Sequence, residues 1–252
     1  MNRKKGIYIL PSLFTLANLA MGFLSIIMTI KGDFGKAAWY ILFAGVFDIL
    51  DGRIARMTNT TSQFGAELDS LSDMVSFGLA PAILIYEFIL FKHTEWGVVI
   101  CLLYVIAAAL RLARFNTALA DDEDTQSFFK GLPSPAAAGI LTTFVLINLT
   151  TKNIPIISEY FHLIFKIWPI IVLLVAYAMV SNINYFTLKK FKLSKPKTLR
   201  FMLLVGIGGL LIWRFPENML FIIFSLYFLS GMVDLLKKLN RATVIFKKLR
   251  KN

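Results

Sequence analysis

Residues 47–81 read FDILDGRIARMTNTTSQFGAELDSLSDMVSFGLAP, with Asp48, Asp51, Gly52, Ala55, Arg56, Gly65, Asp69 and Asp73 at the offsets D-x2-D-G-x2-A-R-x8-G-x3-D-x3-D. The surrounding sequence is suited to lipid. An ionised Asp at membrane depth is costly and is retained where it lines a cavity, a pathway or a metal site. Asp48, Asp51, Gly52 and Ala55 are spaced 0, +3, +4 and +7, which places them on one helical face. Gly65, Asp69 and Asp73 follow each other at four-residue intervals, again on one face. Thr58 to Ser62 supply a polar turn between the two segments. The pattern therefore predicts two antiparallel helices bringing four carboxylates into one cavity.

Working outward, the whole chain fits a membrane. It has 252 residues, is 57% hydrophobic and has a mean hydropathy of +0.69, too apolar for an ordinary soluble domain. A bilayer core takes about 20 apolar residues per helix. Eight candidate spans result: roughly 12–31, 35–57, 66–91, 96–115, 132–151, 166–187, 200–214 and 217–236, the seventh being short. The fold class expected is an all-α polytopic membrane helix bundle, with a six-helix core followed by two C-terminal transmembrane helices.

The net charge of +12 suggests nucleic acid only until its placement is considered. With a cytoplasmic N-terminus and alternating spans, 21 of the 27 Lys and Arg fall on the cytoplasmic side. That satisfies the positive-inside rule with both termini and the four Asp at the cytoplasmic face. The basic ends, 1–10 and 237–252, also carry apolar residues and suit an anionic lipid surface. Met1 to Lys5 before an apolar run imitates a signal peptide, but Pro11, Asn18 and Gly22 interrupt a long run, which reads as a retained helix.

The single Cys101 excludes an internal disulfide and a CxxC zinc site, and His93 and His162 fall in expected external loops. Four Asp without His or Cys suit a hard divalent cation, Mg²⁺ or Mn²⁺, as a pair bridging phosphate oxygens. Arg56 offers a planar fork for phosphate, and Gly52, Ala55 and Gly65 would let a diphosphate approach the backbone. The same small residues also suit close helix packing. Acids that cluster at one end of two helices fit a reaction at the interface better than a path across the bilayer, so a divalent-cation transporter is the weaker alternative.

The eight positions carry the signature of the CDP-alcohol phosphatidyltransferases, and the chain resembles that family. LPSLFTLANLAMGFLSI (10–26), AAALRLARFN (107–116), GLPSPAAAG (131–139) and VSNINYFTLKKF (180–191) are similar to its bacterial serine-using branch, over about residues 5–192. One departure is Ser12, where relatives commonly carry Asn. The resemblance implies a core at 1–192, a two-helix extension with a basic tail at 193–252, and a homodimer. It implies transfer of phosphatidyl from CDP-diacylglycerol to the hydroxyl of L-serine, giving phosphatidylserine and CMP. Asp48, Asp51, Asp69 and Asp73 would hold the ions, with Asp73 also the catalytic base. Asp51, Gly52, Ala55, Arg56 and Gly65 would line the CDP site.

For the acceptor, Arg111 and Arg114 are three apart at the cytoplasmic end of the fourth span, with Asn116 nearby. At least one of the two cations is expected to pair the serine carboxylate. Glycerol 3-phosphate or inositol phosphate would be the alternative acceptors. Ser134, between Pro133 and Pro135, reads as a helix start rather than a nucleophile. The acidic run within 120–130 reads as a solvated loop, and the polar segment 188–200 as the boundary of the extension.

Overall fold

The computed structural model describes residues 3–58, 62–91, 95–120, 128–151, 155–186, 206 and 208–249; side chains are described from 12 to 117, from 131 to 151 and from 165 to 233 within those ranges, except Asn184 and Phe186. The elements are α1 (Arg3–Ile30), α2 (Phe34–Met57), α3 (Gln63–Leu90), α4 (Gly97–Ala120), β1 (Phe128–Lys130), α5 (Ser134–Thr151), α6 (Pro155–Val180), β2 (Asn184–Phe186) and α7 (Pro216–Leu249). A helical stretch at 208–214 precedes α7. Five helices contain segments long and apolar enough to cross a bilayer: Ser12–Ile30, Gln63–Leu90, Gly97–Thr117, Ser134–Thr151 and Pro216–Val233. The protein is a polytopic all-α membrane bundle. Large apolar side chains such as Phe23, Leu102, Tyr177 and Leu226 point outward from it, where hydrocarbon is the compatible solvent.

The sixth expected span, 166–187, ends earlier than its hydropathy suggests. Helix α6 stops at Val180, and Asn184–Phe186 pairs instead as an antiparallel ribbon with Phe128–Lys130. The expected interhelical turn at Thr58–Ser62 is described only at its two ends, and the boundary segment 188–200, His93 and residues 121–127 lie outside the described residues.

Helix α1 explains how the bundle closes around the acids. Thr15, Asn18, Gly22, Ser25 and Thr29 recur at intervals of 3, 4, 3 and 4, and all five are buried. Small and polar residues at this spacing allow close helix approach without a bulky side chain in the seam. α1 packs along α2 over its length and meets α3 at the same seam. Gly22 marks the tightest point: a Cβ there would lie 2.8 Å from the Ser76 Cα. The Ser72 and Ser76 hydroxyls donate to the Thr15 and Asn18 carbonyls at 3.0 and 2.9 Å. On the opposite side, Asp33 caps α2 by accepting from the Lys36 N–H at 3.1 Å, and the Lys36 ammonium holds its carboxyl below the usual range.

Helix α3 is continuous but contains wide π turns at Met74–Leu79 and Tyr86–Leu90. Pro81 has no N–H to offer the Phe77 carbonyl four residues earlier. The Tyr104 hydroxyl of α4 donates to that oxygen at 3.0 Å, and the Cys101 thiol donates to the Ala82 carbonyl at 3.3 Å. Tyr104→Phe is expected to leave the Phe77 oxygen buried without its donor and to cost about 1–3 kcal/mol. Thermal unfolding in detergent checks this, and an unchanged midpoint would mean another donor reaches that carbonyl.

The ribbon end of the bundle is held by Gly131, whose φ of +85° is a conformation that side chains disfavour. Its N–H donates to the Ile183 carbonyl at 2.8 Å, and the Leu132 N–H to the Ala178 carbonyl at 2.9 Å. A Cβ at this position would lie 2.7 Å from Arg114 Nη2 and 3.0 Å from the Ser181 carbonyl. Gly131→Ala is therefore expected to lose at least about 1–2 kcal/mol from the backbone alone. The yield of monodisperse protein after extraction should fall; wild-type yield and midpoint would refute the strain.

Candidate active site

The acids sit where α2 ends and α3 begins. Thr58 closes α2, its N–H and hydroxyl both donating to the Ile54 carbonyl, at 2.9 and 2.7 Å. Ser62 opens α3 by accepting from the Gly65 N–H at 3.0 Å, an ordinary N-cap. These two ends bring Asp48, Asp51 and Asp69 together, with one carboxylate oxygen from each lying within 4.8 Å of the others. Asp51 is only 5% exposed, and Asp51 Oδ2 and Asp69 Oδ1 are buried without a hydrogen-bond partner.

Three gathered carboxylates repel one another and have lost water, so the arrangement calls for a compensating cation. Oxygens on an octahedral Mg²⁺ at about 2.1 Å stand about 3 Å apart when adjacent and about 4.2 Å when opposite. The trio would have to close from separations of up to 4.8 Å to reach that geometry. The residues present fit a hard divalent ion.

Asp73 falls outside that trio, one turn beyond Asp69, and is 8% exposed. The Asn18 amide donates to its Oδ1 at 3.2 Å, and the Thr15 hydroxyl bonds to Asp51. Thus α1 orients one acid on each of the other two helices. The sequence signal for these supports is a pair of polar residues, Thr15 and Asn18, within an apolar span.

Gly52 faces open space: a Cβ there would meet only Arg56 Nη2, at 3.7 Å. Helix packing therefore does not require its smallness. Arg56 is exposed, and its Nε donates to the Gly52 carbonyl at 2.7 Å, leaving the end of its fork outward. Ala55 is partly buried. Gly65 serves the α3 N-terminus and has the Ser62 Oγ as its nearest neighbour.

The two arginines of α4 have different surroundings. Arg114 donates to the Val180, Met179 and Ser181 carbonyls at 3.0, 3.2 and 3.4 Å and to Asn182 Oδ1 at 3.5 Å. It caps the negative end of α6. Arg111 lies within electrostatic range of Asp73 and Asp48. Among the described residues it makes no ion pair within 4.0 Å; its hydrogen bond goes to Ser134 Oγ at 2.7 Å. A gap is left between guanidinium and carboxylates. Ser134, the first residue of α5, thus supports a cation. Asn116 pairs with Ser70, its amide donating to the hydroxyl at 2.9 Å, and so ties α4 to α3 beside Asp69.

The family model described as CDP-alcohol phosphatidyltransferase matches residues 8–168, which include every acid of the cluster. The chain belongs to the CDP-alcohol phosphatidyltransferase family. Among its relatives, a Helicobacter pylori protein named CDP-diacylglycerol–serine O-phosphatidyltransferase is 35% identical over 90% of this chain and 91% of its own. An archaetidylserine synthase of Methanothermobacter thermautotrophicus is 36% identical over 73% of each chain. A Saccharomyces cerevisiae CDP-diacylglycerol–serine O-phosphatidyltransferase is 39% identical over half of each. As a member of that family the chain is a phosphatidyltransferase that acts on a CDP-linked alcohol.

Proposed function

We propose that this enzyme transfers the phosphatidyl group of CDP-diacylglycerol to the hydroxyl of L-serine, giving phosphatidylserine and CMP. The observation that carries the reading is the Asp48–Asp51–Asp69 trio, with its unpaired buried oxygens, beside the separately held Asp73. The names of the relatives supply the serine. Asp48, Asp51 and Asp69, with Asp73 at the margin, would hold Mg²⁺ or Mn²⁺, as a pair on the family resemblance. The ions, when bound, neutralise the diphosphate and make CMP a better leaving group.

Gly52 leaves space for the diphosphate against the α2 backbone, and Arg56 presents donors to it, with Ala55 and Gly65 completing the CDP site. Asp73 accepts the serine hydroxyl proton as that oxygen attacks the phosphatidyl phosphorus. The new P–O bond to serine forms as the bond to CMP breaks. An ionised Asp is a weak base, so its contribution rests on position, which the Asn18 hydrogen bond fixes. Arg111 is the cation left to pair the serine carboxylate. The charge asymmetry orients this site, and both termini, to the cytoplasmic side of the inner membrane. Residues 193–252 form the extension in this scheme, and a homodimer rests on the family resemblance.

Purified protein given CDP-diacylglycerol, Mg²⁺ or Mn²⁺, and one acceptor at a time tests the reading by the lipid formed. Phosphatidylserine from serine supports it. A product only from glycerol 3-phosphate or inositol phosphate replaces the acceptor, and metal flux without lipid product favours a transporter. A second reading concerns the donor: the archaeal relative is named for archaetidylserine, so an archaeal-type CDP donor belongs in the same assay.

A further inference from the structure

Asn18 of α1 is 0% exposed, and its side chain is only half satisfied. Its Nδ2 donates to Asp73 Oδ1 at 3.2 Å, and its backbone carbonyl accepts from the Ser76 hydroxyl at 2.9 Å. Its Oδ1 is buried and, among the described residues, has no hydrogen-bond partner. A buried amide oxygen left unpaired costs stability, so its place beside an acid calls for a donor. The bond to Asp73 fixes which way the amide faces: turned over, its oxygen would meet a carboxylate oxygen and gain nothing. The close approach of Gly22 to Ser76, one turn further along α1, holds this stretch of the helix in register. Asp51 Oδ2 and Asp69 Oδ1 are also orphaned, and the divalent ions of the proposed site account for both. Asn18 is bonded instead to Asp73, the acid outside that trio.

We infer that Asn18 Oδ1 receives the ammonium group of the amino-acid acceptor, so that one side chain both holds the base and recognises the substrate. The inference rests on the serine reading above and deepens it. The oxygen and nitrogen of an amide stand about 2.3 Å apart, given its bond lengths. The hydroxyl and ammonium of serine sit on adjacent carbons, about 3 Å apart in a gauche rotamer. A serine whose hydroxyl donates to Asp73 therefore carries its ammonium to the neighbourhood of Asn18 Oδ1, with ordinary hydrogen bonds of about 2.8–3.0 Å closing both gaps. The two groups are complementary: an ammonium is a donor only, and Oδ1 is an acceptor only. Glycerol 3-phosphate and inositol phosphate bring hydroxyls to this point but no cation, so the same oxygen favours an amino-acid acceptor over them.

The test compares wild type, Asn18→Leu, Asn18→Asp and Asn18→Ser in lipid nanodiscs with CDP-diacylglycerol and Mn²⁺. It reads the KM for L-serine beside the Ki of 3-hydroxypropionate, a competitor with the same hydroxyl and carboxylate but no ammonium. Asn18→Leu keeps the volume and loses both polar atoms. It should lower kcat, because Asp73 loses its support, and raise the KM for serine at least about tenfold, the effect of losing a hydrogen bond to a charged group. The Ki of 3-hydroxypropionate should stay within about twofold of its wild-type value. Asn18→Asp keeps an oxygen at the Oδ1 position but loses the amide donor, so kcat should fall while the KM for serine stays near that of wild type. Asn18→Ser withdraws the oxygen with a residue type already present in the α1 seam, and it carries the test if the Leu variant fails to fold. Equal rises in KM and Ki, or an unchanged KM for serine in both Leu and Ser variants, would overturn the inference. A weaker Mn²⁺ affinity with an unchanged KM for serine would also overturn it and give the oxygen to the ion. Failure of wild type to use serine at all would instead remove the function on which it rests.

Discussion

Asp73→Asn is expected to abolish phosphatidylserine formation, lowering kcat by at least about 10²–10⁴-fold, the range associated with a positioned general base. The substitution keeps the volume and can keep a hydrogen bond to Asn18, so the seam between α1 and α3 should survive. In the proposed scheme it removes the carboxylate that takes the serine hydroxyl proton. Because Asp73 stands only at the margin of the Asp48–Asp51–Asp69 trio, the variant should still bind CDP-diacylglycerol, with a weakened response to Mn²⁺ in a binding or thermal-shift measurement. Radiolabelled serine incorporation gives the rate. A variant that retains more than a tenth of wild-type kcat would exclude Asp73 as the base.

Arg111→Gln should raise the KM for serine by about 30-fold or more, with a much smaller change in the KM for CDP-diacylglycerol. Removing one partner of a desolvated, hydrogen-bonded charge pair costs about 2–5 kcal/mol, which at 1.4 kcal/mol per decade spans 30-fold to several thousandfold. Arg111→Lys keeps the charge but loses the planar fork, so only part of the affinity should return. The neighbouring arginine provides the contrast. Arg114→Gln strips the end of α6 of its donors and should lower the unfolding midpoint and the yield, while protein that does fold keeps its serine KM. If the two substitutions behave alike, the division of labour between them is wrong.

That division was not readable along the chain. Arg111 and Arg114 are both basic, three residues apart, and both lie where the positive-inside rule expects them. What separates them is the partner each meets. The carbonyls at the end of α6, 65 to 67 residues further along the chain, claim Arg114 beside Gly131, whereas Arg111 is left to Ser134. Asn116 is similar: its pairing with Ser70 links two helices 46 residues apart. Other features are legible along the chain. The buried set Thr15, Asn18, Gly22, Ser25 and Thr29 has a helical period that marks one face of α1, and two of its members, Asn18 and Gly22, interrupt the hydrophobic run. The loss of the last turns of the sixth expected span has a plain cause. Hydropathy measures compatibility with lipid, and Ile183 and Tyr185 are buried against protein instead.

The amino-acid sequence alone determined the class of the molecule and the helical faces that carry its acids. Long apolar runs require helices in a bilayer, and a fixed series of Asp, Gly and Arg offsets specifies a helical face before any partner is known. Tertiary structure alone decided which arginine caps α6, which helix orients the acids, and that the last helix packs against α5 and Tyr185. Those outcomes depend on contacts between residues far apart in the chain, where steric fit and hydrogen-bond partners, which periodicity does not encode, select one arrangement.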